Sequence, residues 1–152
     1  MTPSKIRQKI LSERAAWIRN MLASLENLPL GSVEEFSRSR DTVAAAESYL
    51  RRSLEALFDV GRHILGKGFG VPVAEYKQVA RDLADRGVIS AVYLNLMVNM
   101  AGYRNRLTHF YDEVSMEELY QIVTVHREDI RNILNEFLTW QKNHPEMVDA
   151  TL

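Results

Sequence analysis

The stretch Ala101 to Glu113, AGYRNRLTHFYDE, gathers Arg104, Asn105, Arg106, His109 and Tyr111 within one helical pattern. No other segment concentrates as much chemistry. Arg104 is a permanent cation whose planar fork of donors suits phosphate oxygens, and His109 is the side-chain type that exchanges a proton near neutral pH. Together they are the minimum for cutting a phosphodiester without a metal. Were the substrate RNA, its own 2′-hydroxyl would be the nucleophile, and the protein would need only a proton-transfer group and a cation for the charge that develops. Asn105 is suited to orienting the phosphate or the imidazole.

Spacing constrains how these groups meet. Positions five apart are separated by about 140° on a straight helix, so Arg104 and His109 do not share a face. Either the helix loosens near His109, or two copies of the chain meet and an arginine of one faces a histidine of the other. Arg104 and Tyr111 fall within about 20° of each other, about two turns apart. Tyr111 is therefore expected at the exit of the Arg104 face.

Each residue also has an ordinary role. Arg104 can be a surface ion-pairing residue, Asn105 a local cap, Arg106 a solvated charge, His109 a helix-end histidine stabilising the dipole, and Tyr111 a packing ring. The solvated reading is preferred for Arg106, with an accessory place in the site as its alternative. His126 falls on an apolar stripe and reads as a hydrogen-bonded core or interface residue. His63 lies beside the stripe of its own helix and is an accessory candidate if a dimer cleft forms there. His144 is expected to be solvated. No HExxH, paired-His or Asp-rich pattern occurs, so no metal-ligand set is expected.

The elements that position these groups are all helical. Ile6 to Leu28 repeats apolar residues at Ile6, Ile10, Trp17, Met21, Leu25 and Leu28, and Leu11, Ile18 and Leu22 widen the stripe. Pro29 and Gly31 stop it. Ser32 with Glu35 forms a capping box for a short helix to about Arg38. A second core helix runs from about Asp41 to Leu65 on Val43, Ala46, Leu50, Leu54, Leu57, Gly61 and Ile64. Gly66, Gly68, Gly70 and Pro72 read as a loop. A shorter helix over Val73 to Asp85 ends at Gly87, and Ser90 can cap the motif helix, with Tyr93, Leu96, Met100, Tyr103 and Leu107 as its buried row. Ser115 and Glu118 open the last helix, whose stripe is Leu119, Val123, His126, Ile130, Ile133, Phe137 and Trp140, ending near His144 and Pro145. The expected fold is an all-α antiparallel bundle of about four long helices and two short ones, without strands or repeats.

The chain has 152 residues, 46% of them hydrophobic, which suits one domain over 1–152. It has no cysteine, which removes disulfides, iron–sulfur ligation and thiol catalysis. No apolar run is long enough for a membrane span and the N-terminus has no signal-peptide core, so a cytoplasmic protein is expected. Nineteen Lys and Arg against 20 Asp and Glu give a net charge of −1. That argues against coating nucleic acid through a global positive field, but not against a local basic cleft. Arg38, Arg40, Arg51, Arg52 and Arg62 fall in one region and Arg104 and Arg106 in another; helices packed side by side would join them.

The pattern of Arg104, then four residues, His109, one residue, Tyr111 resembles the HEPN ribonucleases, specifically the HepT toxins encoded beside a minimal nucleotidyltransferase antitoxin. The likeness extends to SLEALFDVGRHIL within Asp41 to Leu65, to ADRGVIS around Asp85 to Ser90, and to MAGYRN, covering roughly residues 5 to 142. The motif is specific only in that helical context. The resemblance implies a toxin that cleaves RNA without a metal or cofactor, in a cleft shared by a homodimer, with Arg104, Asn105 and His109 catalytic. It also implies a partner nucleotidyltransferase that uses ATP and magnesium to transfer AMP to Tyr111. The alternative is a non-catalytic HEPN-like subunit that binds a nucleotide or substrate for the nucleotidyltransferase; intact Arg104 and His109 favour the enzyme. A purely structural bundle explains the periodicities but leaves the motif as coincidence.

Overall fold

Four of the helix starts are set by side chains that accept the backbone N–H groups left without partners in a first turn. Ser32 accepts from Glu35 at 3.1 Å, Ser39 from Thr42 at 3.3 Å and Ser115 from Glu118 at 3.1 Å. Glu75 accepts from Lys77 and Gln78 at 3.1 and 3.0 Å. The computed structural model describes residues 3–151. Its helices are α1 (Gln8–Glu26), α2 (Val33–Ser37), α3 (Arg40–His63), α4 (Tyr76–Asp85), α5 (Leu94–His109), α6 (Met116–Gln121) and α7 (Arg127–Asn143). A π-helical turn, Ile122–His126, joins α6 to α7, so the last long helix is continuous. Four long helical bodies and the short α2 and α4 match the expected all-α bundle.

The core sits around α3, which packs against α1, α4, α5 and α7. Leu50, Leu54, Leu57, Phe58, Val60 and Ile64 have essentially no surface left, each contributing roughly 1.5–3 kcal/mol of apolar burial. Gly61 is the point of closest approach to α4: a Cβ there would stand 2.9 Å from Leu83 and 3.1 Å from Val79.

Several local expectations need correction. The buried row of α1 is Leu11, Ala15, Ile18, Leu22 and Leu25, alternating steps of four and three. Trp17 is one residue, about 100°, off that row and is 41% exposed. Ile6 is not helical. With Arg7 it forms β1 (Ile6–Arg7), paired in parallel with β2 (Val148–Asp149), and Ile6 is buried. So short a bridge carries no alternating pattern that could announce it. The Gly66 and Gly68 segment is not a loop, because α3 continues as a π-helical turn, Ile64–Gly68. Gly68 lets the N-terminal strand cross closely, since a Cβ there would stand 3.0 Å from Ile6. Gly70, at φ +68°, turns the chain out. α4 begins at Tyr76 rather than Val73 because Glu75 is its cap; Gly87, at φ +75°, follows it as expected.

Candidate functional site

α5 brings the site residues out of the core. A 3₁₀ turn, Ala91–Tyr93, precedes it, and the Ser90 side chain makes no cap bond. Instead the Ser90 N–H donates to Glu136 at 3.0 Å. The fully buried residues of α5 are Met97, Met100, Ala101 and Leu107. Tyr93, Leu96 and Tyr103 are only half-buried, so the inward row is rotated from the expected one.

Arg104 follows from that rotation. Its side chain retains 16% of its surface, turned toward α3 and α4. The guanidinium carbon lies 4.1 Å from the Tyr76 ring centroid and Nε lies 3.9 Å from Glu55 Oε1. The Arg62 guanidinium lies over the same ring at 4.4 Å and also donates to the Ala74 carbonyl. Phe58 meets the Tyr76 ring edge-on at 5.0 Å. Cation–π contact of this kind holds a guanidinium without using its N–H edge. Consistent with that, Arg104 Nε and Arg62 Nε are buried without a hydrogen-bond partner among the described residues. Arg104 Nη1 donates to Asn105 Oδ1 at 3.4 Å, a long bond that loosely orients both.

Carboxylates frame this pair. Glu55 accepts from Arg51 at 3.4 Å as well as facing Arg104. The Asp59 residue as a whole is exposed, yet burial of its carboxyl pushes its pKa above the ordinary value, against the pull of Arg14, Arg62 and Arg104. Arg62 was expected only as part of a basic region, and Glu55, Asp59 and Tyr76 escaped the motif-based reading. The signal for Glu55 and Asp59 was the charged row Arg51, Glu55, Asp59 and Arg62, in helical steps along an otherwise apolar segment; Tyr76 had none.

His109 is the last residue of α5 and is exposed. Its ring meets Phe110 edge-on at 6.4 Å, and its imidazole makes no hydrogen bond to a described residue. Phe110, at φ −133° and ψ 41°, leaves the helix, and Tyr111–Glu113 form a separate 3₁₀ turn. The expected alignment of Tyr111 with the Arg104 face therefore lapses, because no continuous helix joins them. Tyr111 is nonetheless 65% exposed. Arg106 braces this corner: it grips both Glu118 oxygens and donates to the Glu113 carbonyl at 3.3 Å. It is a fixed brace rather than a solvated charge.

The remaining histidines each have a partner among the described residues. His63 Nε2 accepts the Arg7 N–H at 3.0 Å, and burial, reinforced by Lys67 and Arg7, lowers its pKa below 6.5. His126 Nδ1 lies 2.9 Å from Asp129, and its ring lies 5.8 Å from Tyr103, as its apolar setting suggested. His144, expected to be solvated, stacks on Trp140 at 4.7 Å and bonds the Trp140 carbonyl at 2.8 Å. Among the described residues no group of three or more His, Asp or Glu is placed to hold a metal ion. No helix among them is long and apolar enough to cross a membrane.

No curated protein matches the chain. Its fold recurs in a tri-AMPylated Shewanella oneidensis HEPN toxin in complex with its MNT antitoxin, with a TM-score of 0.77 and 20% identity over 86% of this chain and 97% of that one. A toxin–antitoxin complex with AMP-PNP gives 0.76 and 20% identity over 84% and 97%. YutE, a cytosolic Bacillus subtilis protein of unknown function, gives 0.75 and 16% identity over 91% and 93%. At such identities the likeness speaks for the fold alone. The profile of a family described as Ribonuclease HepT-like matches residues 18–137, a span that contains Arg104, Asn105, His109 and Tyr111. The chain therefore belongs to the HepT-like ribonuclease family.

Proposed function

We propose that this protein is the toxin of a toxin–antitoxin pair, a metal-independent endoribonuclease whose catalytic groups are Arg104, Asn105 and His109. The observation that carries the reading is the contrast within α5. Arg104 is withdrawn and fixed on Tyr76 and Glu55, while His109 stands exposed at the end of the same helix. A fixed cation is suited to charge that develops in a transition state, because it needs little reorganisation when the charge appears. An exposed imidazole is suited to exchanging a proton with substrate. In the reaction the 2′-oxygen of RNA bonds to the adjacent phosphorus as the bond to the 5′-oxygen breaks. The proton lost by the first oxygen is regained by the second, and His109 moves it. Arg104 meets the charge on the non-bridging oxygens, and Asn105 orients the phosphate. DNA lacks the nucleophile and resists cleavage.

Because Arg104 and His109 leave α5 about 140° apart, the working cleft is composite, formed where two copies of the chain place an Arg104 opposite a His109. In this reading Arg106 and His63 serve the scaffold. Control is by a nucleotidyltransferase partner that uses ATP and magnesium. The Tyr111 oxygen bonds to the α-phosphorus of ATP, pyrophosphate leaves and the phenol proton is lost. The added phosphate then pairs with Arg104 or repels RNA.

The test is incubation of the purified protein with total RNA in EDTA. Cleavage by wild type, lost in folded Arg104→Ala and His109→Ala variants, is expected; no cleavage by the unmodified wild type would sink the nuclease reading. Sedimentation should give a dimer, and a fully active monomer would remove the shared cleft.

A further inference from the structure

A cleft of about 290 Å³ opens between α1 and α3, lined by Arg14, Trp17, Arg51, Arg52, Glu55 and Asp59. Trp17 is an exposed indole on a polar face, whereas Trp140, the other tryptophan, is 6% exposed. Arg14 lies one turn before Trp17, so the two side chains neighbour each other on α1. Arg14 and Arg52 make no ion pair with a described carboxylate, while Arg51 is taken by Glu55. Ala56, small and buried, leaves room between the helices. Glu55 carries the connection onward, since the carboxylate that borders this cleft also faces Arg104 Nε at 3.9 Å. An aromatic platform flanked by uncommitted guanidinium groups and leading toward the phosphate-binding arginine is the chemistry that holds an unpaired nucleotide.

We propose that this cleft is a substrate subsite for single-stranded RNA, in which a base stacks on Trp17 while Arg14 and Arg52 contact the phosphates beside it, next to the bond that is cut. The proposal rests on the nuclease reading and deepens it. A duplex is excluded because its bases are already stacked and its width exceeds a cleft at the small end of the range for ligand sites, about 300 Å³. The carboxylates limit the field: Glu55 is neutralised by Arg51 and Arg104, and Asp59 lies among Arg14, Arg62 and Arg104. Binding is accordingly short-range and local, as befits a chain of net charge −1.

The two-tryptophan chain gives a direct readout. In a His109→Ala background, which prevents cleavage, a short single-stranded oligoribonucleotide should quench the exposed Trp17 emission, and an RNA duplex should not. Trp17→Phe removes the quench. Trp17→Ala, followed by anisotropy of a labelled oligonucleotide, should weaken binding about tenfold or more. Arg14→Gln and Arg52→Gln should each flatten the dependence of log affinity on log salt by about 0.7. Unchanged affinity in Trp17→Ala would overturn the subsite, as would a shift of that variant from dimer to monomer, which would make this face an interface between copies. The two readings fail separately. Quenching by RNA with no cleavage by wild type would sink the nuclease and leave the cleft. Cleavage that depends on Arg104 but ignores Trp17, without quenching, would sink the cleft alone.

Discussion

Arg104→Lys separates the geometry of the guanidinium from its charge. In the folded chain the guanidinium is held over Tyr76 at 4.1 Å, with Glu55 at 3.9 Å from Nε. An ammonium at the same place keeps the charge and can still sit over the ring. What folding loses is the planar stack and a weak ion pair, together about 1 kcal/mol or less. For a chain of this size that lowers Tm by about 2–4 °C. The reaction loses more, because lysine replaces a fork that spans two phosphate oxygens with a single point donor. One charge-assisted hydrogen bond missing from the transition state is about 1.5–3 kcal/mol, which lowers kcat/KM about ten- to a hundredfold. Initial rates on RNA in EDTA, with thermal melts on the same preparations, measure both. Tyr76→Phe keeps the ring face and should leave the rate within about threefold of wild type, whereas Tyr76→Leu removes the platform and should lower it. Wild-type kcat/KM in Arg104→Lys, or a rate that falls only in step with the folded fraction, would refute the reasoning.

Other perturbations address the scaffold. His63 accepts the Arg7 N–H in its neutral form, and its folded pKa lies below the unfolded value of 6.5. The unfolded chain therefore binds more protons as pH falls below 6.5, so stability is full above that pH and declines toward the folded pKa. His63→Gln should flatten that part of the Tm-against-pH curve. Gly61→Ala drives a methyl to within 2.9 Å of Leu83 and 3.1 Å of Val79 and should cost about 1–3 kcal/mol in urea unfolding. Cutting the half-exposed Arg106–Glu118 brace by Arg106→Ala should cost about 1 kcal/mol or less, and a double-mutant cycle with Glu118→Gln should show the two effects to be coupled.

The helices were legible because their signals are local. Ser32 and Ser115 sit where cap bonds form, Gly87 stands at positive φ, and the apolar steps of α3 run inward as read. What escaped was decided by distant packing. Trp17 fits the period of α1 as well as Ile18 does, and only the position of α3 settles which of them faces inward. Ile6 continues the helical period yet lies in a strand, because Val148 offers it a partner across the whole length of the chain. At the site, the residue types of Arg104 and His109 stated their chemistry, but the Tyr76 platform is 28 positions from Arg104 and belongs to no local pattern. Arg106 had no carboxylate at helical spacing within α5; its partner Glu118 comes from α6.

The same geometry bears on which tyrosine the proposed transferase would modify. Tyr103 is half-buried against His126, and burial, ahead of Glu118, raises its pKa, so it is less exposed and a poorer nucleophile than a tyrosine in solvent. The Tyr120 hydroxyl already donates to the Leu30 carbonyl at 2.7 Å, and its ring packs on Phe36, so modification there would break the tie between α6 and the segment that leads into α2. Tyr111 has neither tie. It lies on a 3₁₀ turn just beyond the exposed His109, and Arg106 pins the end of that turn through the Glu113 carbonyl and Glu118. A bulky anion can be added there without opening the core, close in sequence to the groups that would meet RNA. Peptide mapping after incubation with the proposed nucleotidyltransferase partner, ATP and magnesium should find AMP on Tyr111 with no fall in Tm. AMP on Tyr103 or Tyr120 in place of Tyr111 would mean that accessibility does not select the site, and the turn beyond His109 would lose its regulatory role.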